Sequence, residues 1–277
     1  MPIIILLLLA VIQGVTEFLP VSSSGHLVLL YNIFGIENNV QLLSILLHVA
    51  TLMSVLVYYR KEIVILIKNP LCSTNKKLVV TTITTCGVVL ILKPFIDKTF
   101  NGDWLFVFFI ITAILLFVSD YLSERSSLMT RIYGNCDGVV SKNSNTQITN
   151  IPITYKQAVI IGLTQGVACI PGISRSGSTI AVGRMIGAKD TTRYSFLISI
   201  PIIIASFVME IFDGGIGNLA GINIIALILA MVVCFVVGLL CIKLVNKIAE
   251  KNRLTLFAYY LIGLSVLLIV LSITGVM

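Results

Sequence analysis

QGVTEFLPVSSSGHL at residues 13–27 and QGVACIPGISRSGST at residues 165–179 are two versions of one segment. They lie 152 residues apart, align without a gap and agree at six positions. Within a membrane, polar stretches that contain Gly and Pro are tolerated only where they are buried in protein or line a cavity. A pair of such breaks at matching points of two halves predicts a binding site where the halves meet.

The composition around these segments is that of a membrane protein. Of the 277 residues 57% are hydrophobic and only 11% are charged, and the mean hydropathy is +1.06. We interpret the net charge of +7 as a topology signal and an attraction to anionic lipid of the bilayer. Nucleic acid is not a predicted partner, because no run of Lys and Arg with interleaved aromatic residues occurs.

Six stretches reach the length of roughly 20 apolar residues that a helix needs to span a bilayer. They are residues 39–59, 78–97, 104–121, 194–212, 221–244 and 255–275. Two further apolar segments, 2–34 and 157–187, are interrupted around Pro20 and around Pro171-Gly172. Pro and Gly end helices and a Ser-rich run starts them, so each segment is interpreted as a re-entrant hairpin of two half-helices.

The basic residues predict the topology. One loop carries Arg60, Lys61, Lys68, Lys76 and Lys77, the next long one carries Arg125, Arg131, Lys142 and Lys156, and the last carries Lys247, Lys251 and Arg253. By the positive-inside rule these three loops are cytoplasmic, and the two hairpins then enter from opposite faces.

The predicted fold class is an all-α polytopic membrane protein with an inverted-topology repeat. Each half contains one re-entrant helical hairpin and three transmembrane helices. The chain is one integral membrane domain over residues 1–277. It comprises a first repeat at 1–121, a cytoplasmic linker at 122–156 and a second repeat at 157–277.

Three ionisable residues inside these segments are candidates for function. Glu17 lies deep in an apolar segment beside a break, where a charge is costly, although a carboxylate could also cap a half-helix there. His26 is a candidate general base, general acid or nucleophile. Arg175 stands where the first copy has Ser23, and either pairs with Glu17 or, as we favour, holds an anion. His48 is interpreted as a satisfied histidine between helices.

Small and hydroxyl residues surround these charges. They are Ser22, Ser23, Ser24 and Gly25 in the first copy and Ser174, Ser176, Gly177, Ser178 and Thr179 in the second. Gly permits close approach of the backbone, and half-helices that begin here would aim their N–H groups at an anion. The alternative is close helix packing through small residues. Gln13 and Glu17 share one helix face and could hold a hard divalent cation.

The motifs resemble those of the bacitracin-resistance type of undecaprenyl-diphosphate phosphatase. QGVTEFLPVSSSGH at Gln13–His26 matches the form (E/Q)GxTEFLPxSSxGH, and PGISRSGST at Pro171–Thr179 matches PGxSRSGxT. Further similarity lies in LLHVATLMSVLVYYR at Leu46–Arg60 and RYSFLISIP at Arg193–Pro201. With the length and the pattern of spans, the resemblance covers essentially the whole chain.

The resemblance implies a multi-pass cell-membrane phosphatase whose site opens to the outer face. It would remove the terminal phosphate of a polyprenyl diphosphate and so recycle the carrier lipid of cell-wall biogenesis. The implied catalytic residues are Glu17, Ser23, His26 and Arg175, with Ser174, Ser176 and Thr179 beside the arginine. Together with Ser22, Ser24, Gly25 and Gly177 from the anion site described above, these three form the predicted substrate-binding set. The implied cofactor is Mg²⁺ or Ca²⁺ at Glu17 and Gln13. Gln13 stands where many members have Glu, which leaves one carboxylate for the metal.

Our mechanistic hypothesis is that Ser23 attacks the terminal phosphorus with assistance from His26. Direct attack by His26, or by a water molecule that it activates, is the variant. The competing class of function is a secondary transporter or a polyprenyl-phosphate translocase that uses the same anion site at the midplane. A scaffold without any site is a third, weaker reading. The sequence leaves the oligomeric state open, with a homodimer as one option.

Overall fold

The structure, a computed structural model, is all-helical and describes residues 2–36, 40–133, 151–212, 223–249 and 254–273. These ranges contain eleven helices. Those of the first half are α1 (Ile3–Thr16), α2 (Ser23–Ile33), α3 (Val40–Tyr58), α4 (Arg60–Lys68), α5 (Ser73–Thr99) and α6 (Leu105–Tyr133). Those of the second half are α7 (Tyr155–Val167), α8 (Arg175–Met185), α9 (Thr191–Phe212), α10 (Ile224–Ala249) and α11 (Thr255–Ile273).

Six of the described helices are long and apolar enough to cross a membrane, at the six places that the sequence predicts. They are α3, α5, α9, α11 and the apolar parts of α6 and α10, Leu105–Arg125 and Ile224–Lys247. Large apolar side chains such as Ile91, Ile225 and Leu240 remain exposed on these helices. Such faces suit a lipid surrounding, and the chain is a polytopic membrane protein.

The 152-residue offset of the two motifs extends to the surrounding helices. α2 and α8 each have 11 residues, and their first residues, Ser23 and Arg175, are separated by that offset. α7, α9, α10 and α11 begin within about two residues of the shifted starts of α1, α3, α5 and α6. The packing is reciprocal: α1 packs against α10 and α7 against α5, while α3 packs against α9 and α6 against α11.

Both predicted helix breaks are present, and both half-helices that follow them are capped by serine. α1 ends at Thr16 and α2 begins at Ser23, where the Ser22 Oγ accepts a hydrogen bond of 3.3 Å from the Gly25 N–H. In the second copy the Ser174 Oγ accepts one of 3.1 Å from the Gly177 N–H. A serine at this position satisfies an otherwise unpaired donor, which explains why the helices restart there.

The prediction of a loop after α3 is wrong, because much of this segment is helical. Its first part, Arg60–Lys68, forms α4, and Lys76 and Lys77 lie in the first two turns of α5. Ile63 and Leu66, three residues apart on one face of α4, pack against the apolar core. This burial stabilises a short helix whose basic ends stay exposed.

The two ends of the predicted linker at 122–156 are helical. α6 continues to Tyr133, and the remainder at 134–150 lies outside the described residues. Near its far end Ile151 and Ile153 are buried in the core. Thr154 then starts α7 through a capping box, in which its Oγ accepts from the Gln157 N–H at 3.2 Å and the Gln157 side chain accepts from the Thr154 N–H at 2.9 Å.

Candidate active site

Glu17 is the centre of a buried polar cluster at the end of α1. Its carboxylate Oε2 accepts hydrogen bonds from Gln13 Nε2 at 2.9 Å and from Ser23 Oγ at 2.6 Å. Its other oxygen, Oε1, forms an ion pair with Nη2 of Arg175. His48 Nε2 lies 3.3 Å from Oε2. Only 8% of Glu17 is exposed, and these four partners compensate a charge that would otherwise be costly to bury.

Arg175 is held by this cluster and yet remains accessible. The sequence left two partners open for it, and in the structure the guanidinium pairs with Glu17. Its side chain retains 18% exposure and lines the adjoining cavity. A guanidinium donates through several N–H groups in a fixed plane, so it can contact an anion in the cavity as well as a carboxylate.

The cavity beside the cluster has a polar end and apolar walls. Its volume is about 420 Å³, within the usual range of ligand pockets, and its lining comes from α3, α5, α9 and the two breaks. The polar end is formed by Ser22, Ser23, Ser24, His48 and Arg175. The apolar walls include Val89, Leu90, Ile96, Ile202, Ile203 and Met209. Such a cavity suits a ligand with an anionic head and an apolar tail.

The two repeated motifs meet beneath this cavity. A Cβ atom on Gly25 would lie 2.9 Å from the Cα of Gly172, so only glycine allows the two breaks to approach so closely. The Gly172 N–H donates to the Ser22 Oγ at 3.1 Å, and the Ser176 hydroxyl donates to the Leu19 carbonyl at 3.1 Å. The convergence of the breaks is therefore held by direct contacts between the two copies.

Part of the predicted phosphate-binding set serves capping and packing instead. Four of its residues line neither the cavity nor the small pocket beside it, namely Gly25, Ser174, Gly177 and Thr179. Ser174 and Gly177 form the cap of α8, and the Thr179 hydroxyl lies 2.6 Å from that of Ser195. Ser22 and Ser24 line the cavity, and Ser176 lines a small adjacent pocket together with Glu17 and Arg175. The packing alternative thus accounts for some of the small residues.

The ring of His26 does not contact Ser23 or Glu17. Its Nδ1 lies 2.7 Å from the Ser22 carbonyl, and its Nε2 lies 2.7 Å from the Tyr260 hydroxyl. The ring is stacked on that of Tyr260, with 5.7 Å between centroids. Ser22 itself adopts φ +67°, a left-handed conformation that is uncommon outside glycine, and strain of this kind is often found at functional sites.

His48 belongs to the cluster, although the motifs do not include it. Its Nδ1 lies 2.7 Å from the Ser44 carbonyl one turn earlier on α3, and its Nε2 faces Glu17. The interpretation of a satisfied histidine between helices is confirmed, but its partner is the central carboxylate of the candidate site. The available signal was its rarity, since the chain has only two histidines.

A hard cation would find two oxygen donors here. Over the described part of the chain, no group of three or more His, Cys, Asp and Glu side chains could hold a metal. Gln13 Oε1 is buried without a hydrogen-bond partner, on the residue that donates to Glu17. Because Nε2 faces Glu17, the amide would have to turn for this oxygen and the carboxylate to hold one ion, which would take its other ligands from phosphate and water, as Mg²⁺ commonly does.

Comparison with known proteins gives matches over nearly the whole chain. The family model described as Bacitracin resistance protein BacA matches residues 6–267. A protein named undecaprenyl-diphosphatase from Carboxydothermus hydrogenoformans is 36% identical over 274 residues, which is 97% of both chains. A protein of the same name from Methanosphaera stadtmanae is 34% identical over 96% of this chain and 97% of its own length. Another from Treponema denticola is 36% identical over 93% of both chains. The matched region includes both repeated motifs.

Proposed function

The chain belongs to the bacitracin resistance protein BacA family, and on that premise we propose that it hydrolyses undecaprenyl diphosphate to the monophosphate and phosphate. The relatives described above carry the name of this activity. The observation that carries the proposal is the meeting of a hydroxyl, a carboxylate and a guanidinium, from Ser23, Glu17 and Arg175, beside a cavity that Ser23 and Arg175 line.

Ser23 is the nucleophile in this proposal. Its hydroxyl already donates to Glu17 Oε2 at 2.6 Å, so the carboxylate is placed to accept the proton as the Ser23 oxygen attacks. The new P–O bond forms at the terminal phosphorus while the bridging P–O bond breaks, and the bond electrons leave with undecaprenyl monophosphate. Water then hydrolyses the phosphoserine, which releases phosphate and restores the Ser23 hydroxyl.

Arg175 supplies charge stabilisation. In phosphoryl transfer most of the acceleration comes from positioning and from compensating charge on the phosphate oxygens. The guanidinium sits between the carboxylate of Glu17 and the cavity, so the incoming diphosphate competes for its N–H groups. Transfer of Arg175 from Glu17 to the phosphates would bind the substrate and, in the same movement, leave Glu17 a stronger base.

His26 has a smaller part in this scheme than the resemblance implies. Its ring nitrogens contact the Ser22 carbonyl and the Tyr260 hydroxyl, and neither reaches Ser23. We propose that His26 secures the strained backbone at Ser22, next to the nucleophile. Attack by His26 itself would require its ring to leave Tyr260.

In our proposal the substrate enters the cavity from the outer face of the membrane. Gln41 at the start of α3, Asp97 near the end of α5 and Glu210 near the end of α9 line the cavity. These span ends lie opposite those that carry Arg60 and Lys76, which the positive-inside rule makes cytoplasmic.

We also propose that the two halves have inverted topology. The matched helix bounds and the reciprocal packing of α1 with α10 and α7 with α5 support the inverted repeat, and the breaks before α2 and α8 support re-entrant hairpins.

A divalent cation, Mg²⁺ or Ca²⁺, completes the proposal. Glu17 and Gln13 Oε1 would hold it, and it would neutralise charge on the diphosphate when bound. Because the protein contributes a single carboxylate, we expect the ion to bind together with the substrate rather than before it.

The test is phosphate release from undecaprenyl diphosphate by the purified protein in detergent, with Mg²⁺ and with EDTA. We expect release with Mg²⁺, little with EDTA, and none above background from the Ser23→Ala variant. Ser265→Ala is the matched control, since that buried serine donates only to the Leu261 carbonyl on α11. A folded protein that releases no phosphate with any divalent ion would overturn the proposal.

The same variant tests the transporter alternative. A carrier uses binding alone and would still move lipid after Ser23→Ala, whereas hydrolysis would stop. Transport of a polyprenyl phosphate that survives the substitution, in a protein without phosphatase activity, would favour a translocase. The names of the relatives give this alternative no support.

A further inference from the structure

We propose that Tyr260 is a positioning residue of the reaction: through His26 it holds the backbone at Ser22, and with it the hydroxyl of Ser23. This inference deepens the proposed function and rests on it. Tyr260 lies on α11, outside both repeated motifs, and its hydroxyl meets a ring that stands 234 residues earlier in the chain.

Two hydrogen bonds fix the orientation of the His26 ring. A backbone carbonyl can only accept a hydrogen bond, so Nδ1, at 2.7 Å from the Ser22 carbonyl, is a donor. In the uncharged ring Nε2 is then an acceptor, and the Tyr260 hydroxyl, 2.7 Å away, donates to it. A charged ring would donate to the Tyr260 oxygen instead, so the contact does not depend on the charge of His26.

Aromatic packing keeps the same ring in place. The rings of His26 and Tyr260 lie nearly parallel, with 6° between their planes and 5.7 Å between their centroids. The Phe109 ring, which is fully buried, packs against His26 with 5.5 Å between centroids. Tyr260 itself is about half exposed, so it forms the outer part of this group. Loss of its contacts would leave the His26 ring free to turn.

The Ser22 carbonyl belongs to the peptide group that joins Ser22 to the nucleophile. Ser22 adopts φ +67° and ψ +92°, a conformation that is unfavourable outside glycine and persists only where neighbouring groups hold it. The hydrogen bond from His26 Nδ1 is one of these restraints, and it sets the direction of the peptide plane. Because that plane determines where the side chain of Ser23 starts, it also determines how the Ser23 hydroxyl meets Glu17 at 2.6 Å.

The experiment separates the hydroxyl of Tyr260 from its ring. Tyr260→Phe keeps the stacked ring and removes only the hydrogen bond to His26. We expect kcat for phosphate release to fall about 3- to 10-fold, the usual effect of losing a hydrogen bond between neutral groups, with KM within about twofold. Tyr259→Phe is the matched control, because its ring packs against Phe117 instead, and it should leave kcat unchanged.

A second substitution tests whether Tyr260 acts through His26. In His26→Asn the side-chain amide places an N–H near the position of Nδ1, so the bond to the Ser22 carbonyl can be kept, but the shorter side chain does not reach Tyr260. We expect His26→Asn to retain kcat within about tenfold of the wild type. Adding Tyr260→Phe should then lower kcat no further, since the effects of coupled residues are not additive. Thermal unfolding of each variant in detergent separates a loss of folding from a loss of turnover.

Four results would count against the inference alone. Wild-type kcat in Tyr260→Phe would exclude a positioning role, and a rise in KM alone would make Tyr260 a contact of the lipid tail. A folded but inactive His26→Asn protein would make His26 a group that reacts itself. A full additional loss of kcat in the double variant would show that Tyr260 does not act through His26. A wild-type protein without phosphate release would instead overturn the proposed function, and this inference with it.

Discussion

Glu17 shows how one buried side chain can organise a site at the level of residues. It is the only carboxylate in the cluster, and its partners come from α1, α2, α3 and α8. Removing the guanidinium of Arg175 would leave a buried charge less well compensated, which is strongly unfavourable. The same contacts orient the carboxylate toward Ser23, so stability and chemistry depend on the same atoms.

Arg175 allows a prediction at this scale. We expect Arg175→Ala to lower kcat/KM for phosphate release by about 10³-fold or more, in line with other arginines that stabilise phosphoryl transfer. Arg175→Lys keeps the charge but not the planar set of donors, so a smaller loss of about 10- to 100-fold is expected. Steady-state kinetics with undecaprenyl diphosphate measures both. Near-normal turnover of a folded Arg175→Ala protein would remove Arg175 from the site.

At the scale of elements, the two breaks do more than interrupt helices. Each provides a serine cap for the half-helix that follows it, through Ser22 and Ser174. The breaks also touch one another, because Gly25 has no Cβ atom and its backbone can approach the Cα of Gly172. The repeated segment therefore has two roles. In each half it restarts a helix, and between the halves the two copies together form the base of the cavity.

The contact between the breaks gives a stability prediction. A Cβ atom on Gly25 would meet the Phe109 ring at 2.7 Å and the Gly172 backbone at 2.9 Å, so we expect Gly25→Ala to destabilise the protein by about 1–3 kcal/mol. Gly263 is the control, since a Cβ there would meet nothing within 4 Å, and Gly263→Ala should be neutral or stabilising by up to about 1 kcal/mol. Thermal unfolding in detergent measures both, and an unaffected Gly25→Ala protein would contradict the close approach.

At the scale of the whole molecule, the position of the cavity along the spans determines from which side of the membrane a substrate could enter. Its lining comes from the first turns of α3 and the last turns of α5 and α9. These ends lie on one side of the bundle, and the basic residues around α4 lie at the other. A phosphatase built this way would take its substrate from one leaflet and release phosphate on the same side.

Thiol labelling tests this orientation. Gln41 lines the cavity and Lys76 lies at the opposite end of the spans, and both are exposed. In intact cells a membrane-impermeant maleimide should label Gln41→Cys above the background of the native cysteines and should not label Lys76→Cys. After the membrane is permeabilised, both should react. The reverse order of labelling would place the cavity on the cytoplasmic side.

The sequence was most informative where structure depends on local patterns. The apolar stretches predict all six candidate spans, because a length of roughly 20 apolar residues is a property of the stretch itself. Pro20 and Pro171 mark the two breaks, and each serine cap is a contact between residues three apart in the sequence. The starts of both half-helices can therefore be predicted from neighbouring residues. α4 was missed because its stability depends on Ile63 and Leu66 packing against a distant core.

By itself, the sequence predicted a helical membrane protein with two matching breaks, and through its motifs it grouped Glu17, Ser23, His26 and Arg175 as catalytic candidates. Only the tertiary structure decided which histidine lies beside the carboxylate. His26 stands three residues after Ser23 and turns to Tyr260 on α11, whereas His48 reaches Glu17 from α3. Proximity along the chain does not fix the direction of a side chain on a helix. That direction is set by which helices pack together, and this depends on contacts between residues far apart in the sequence.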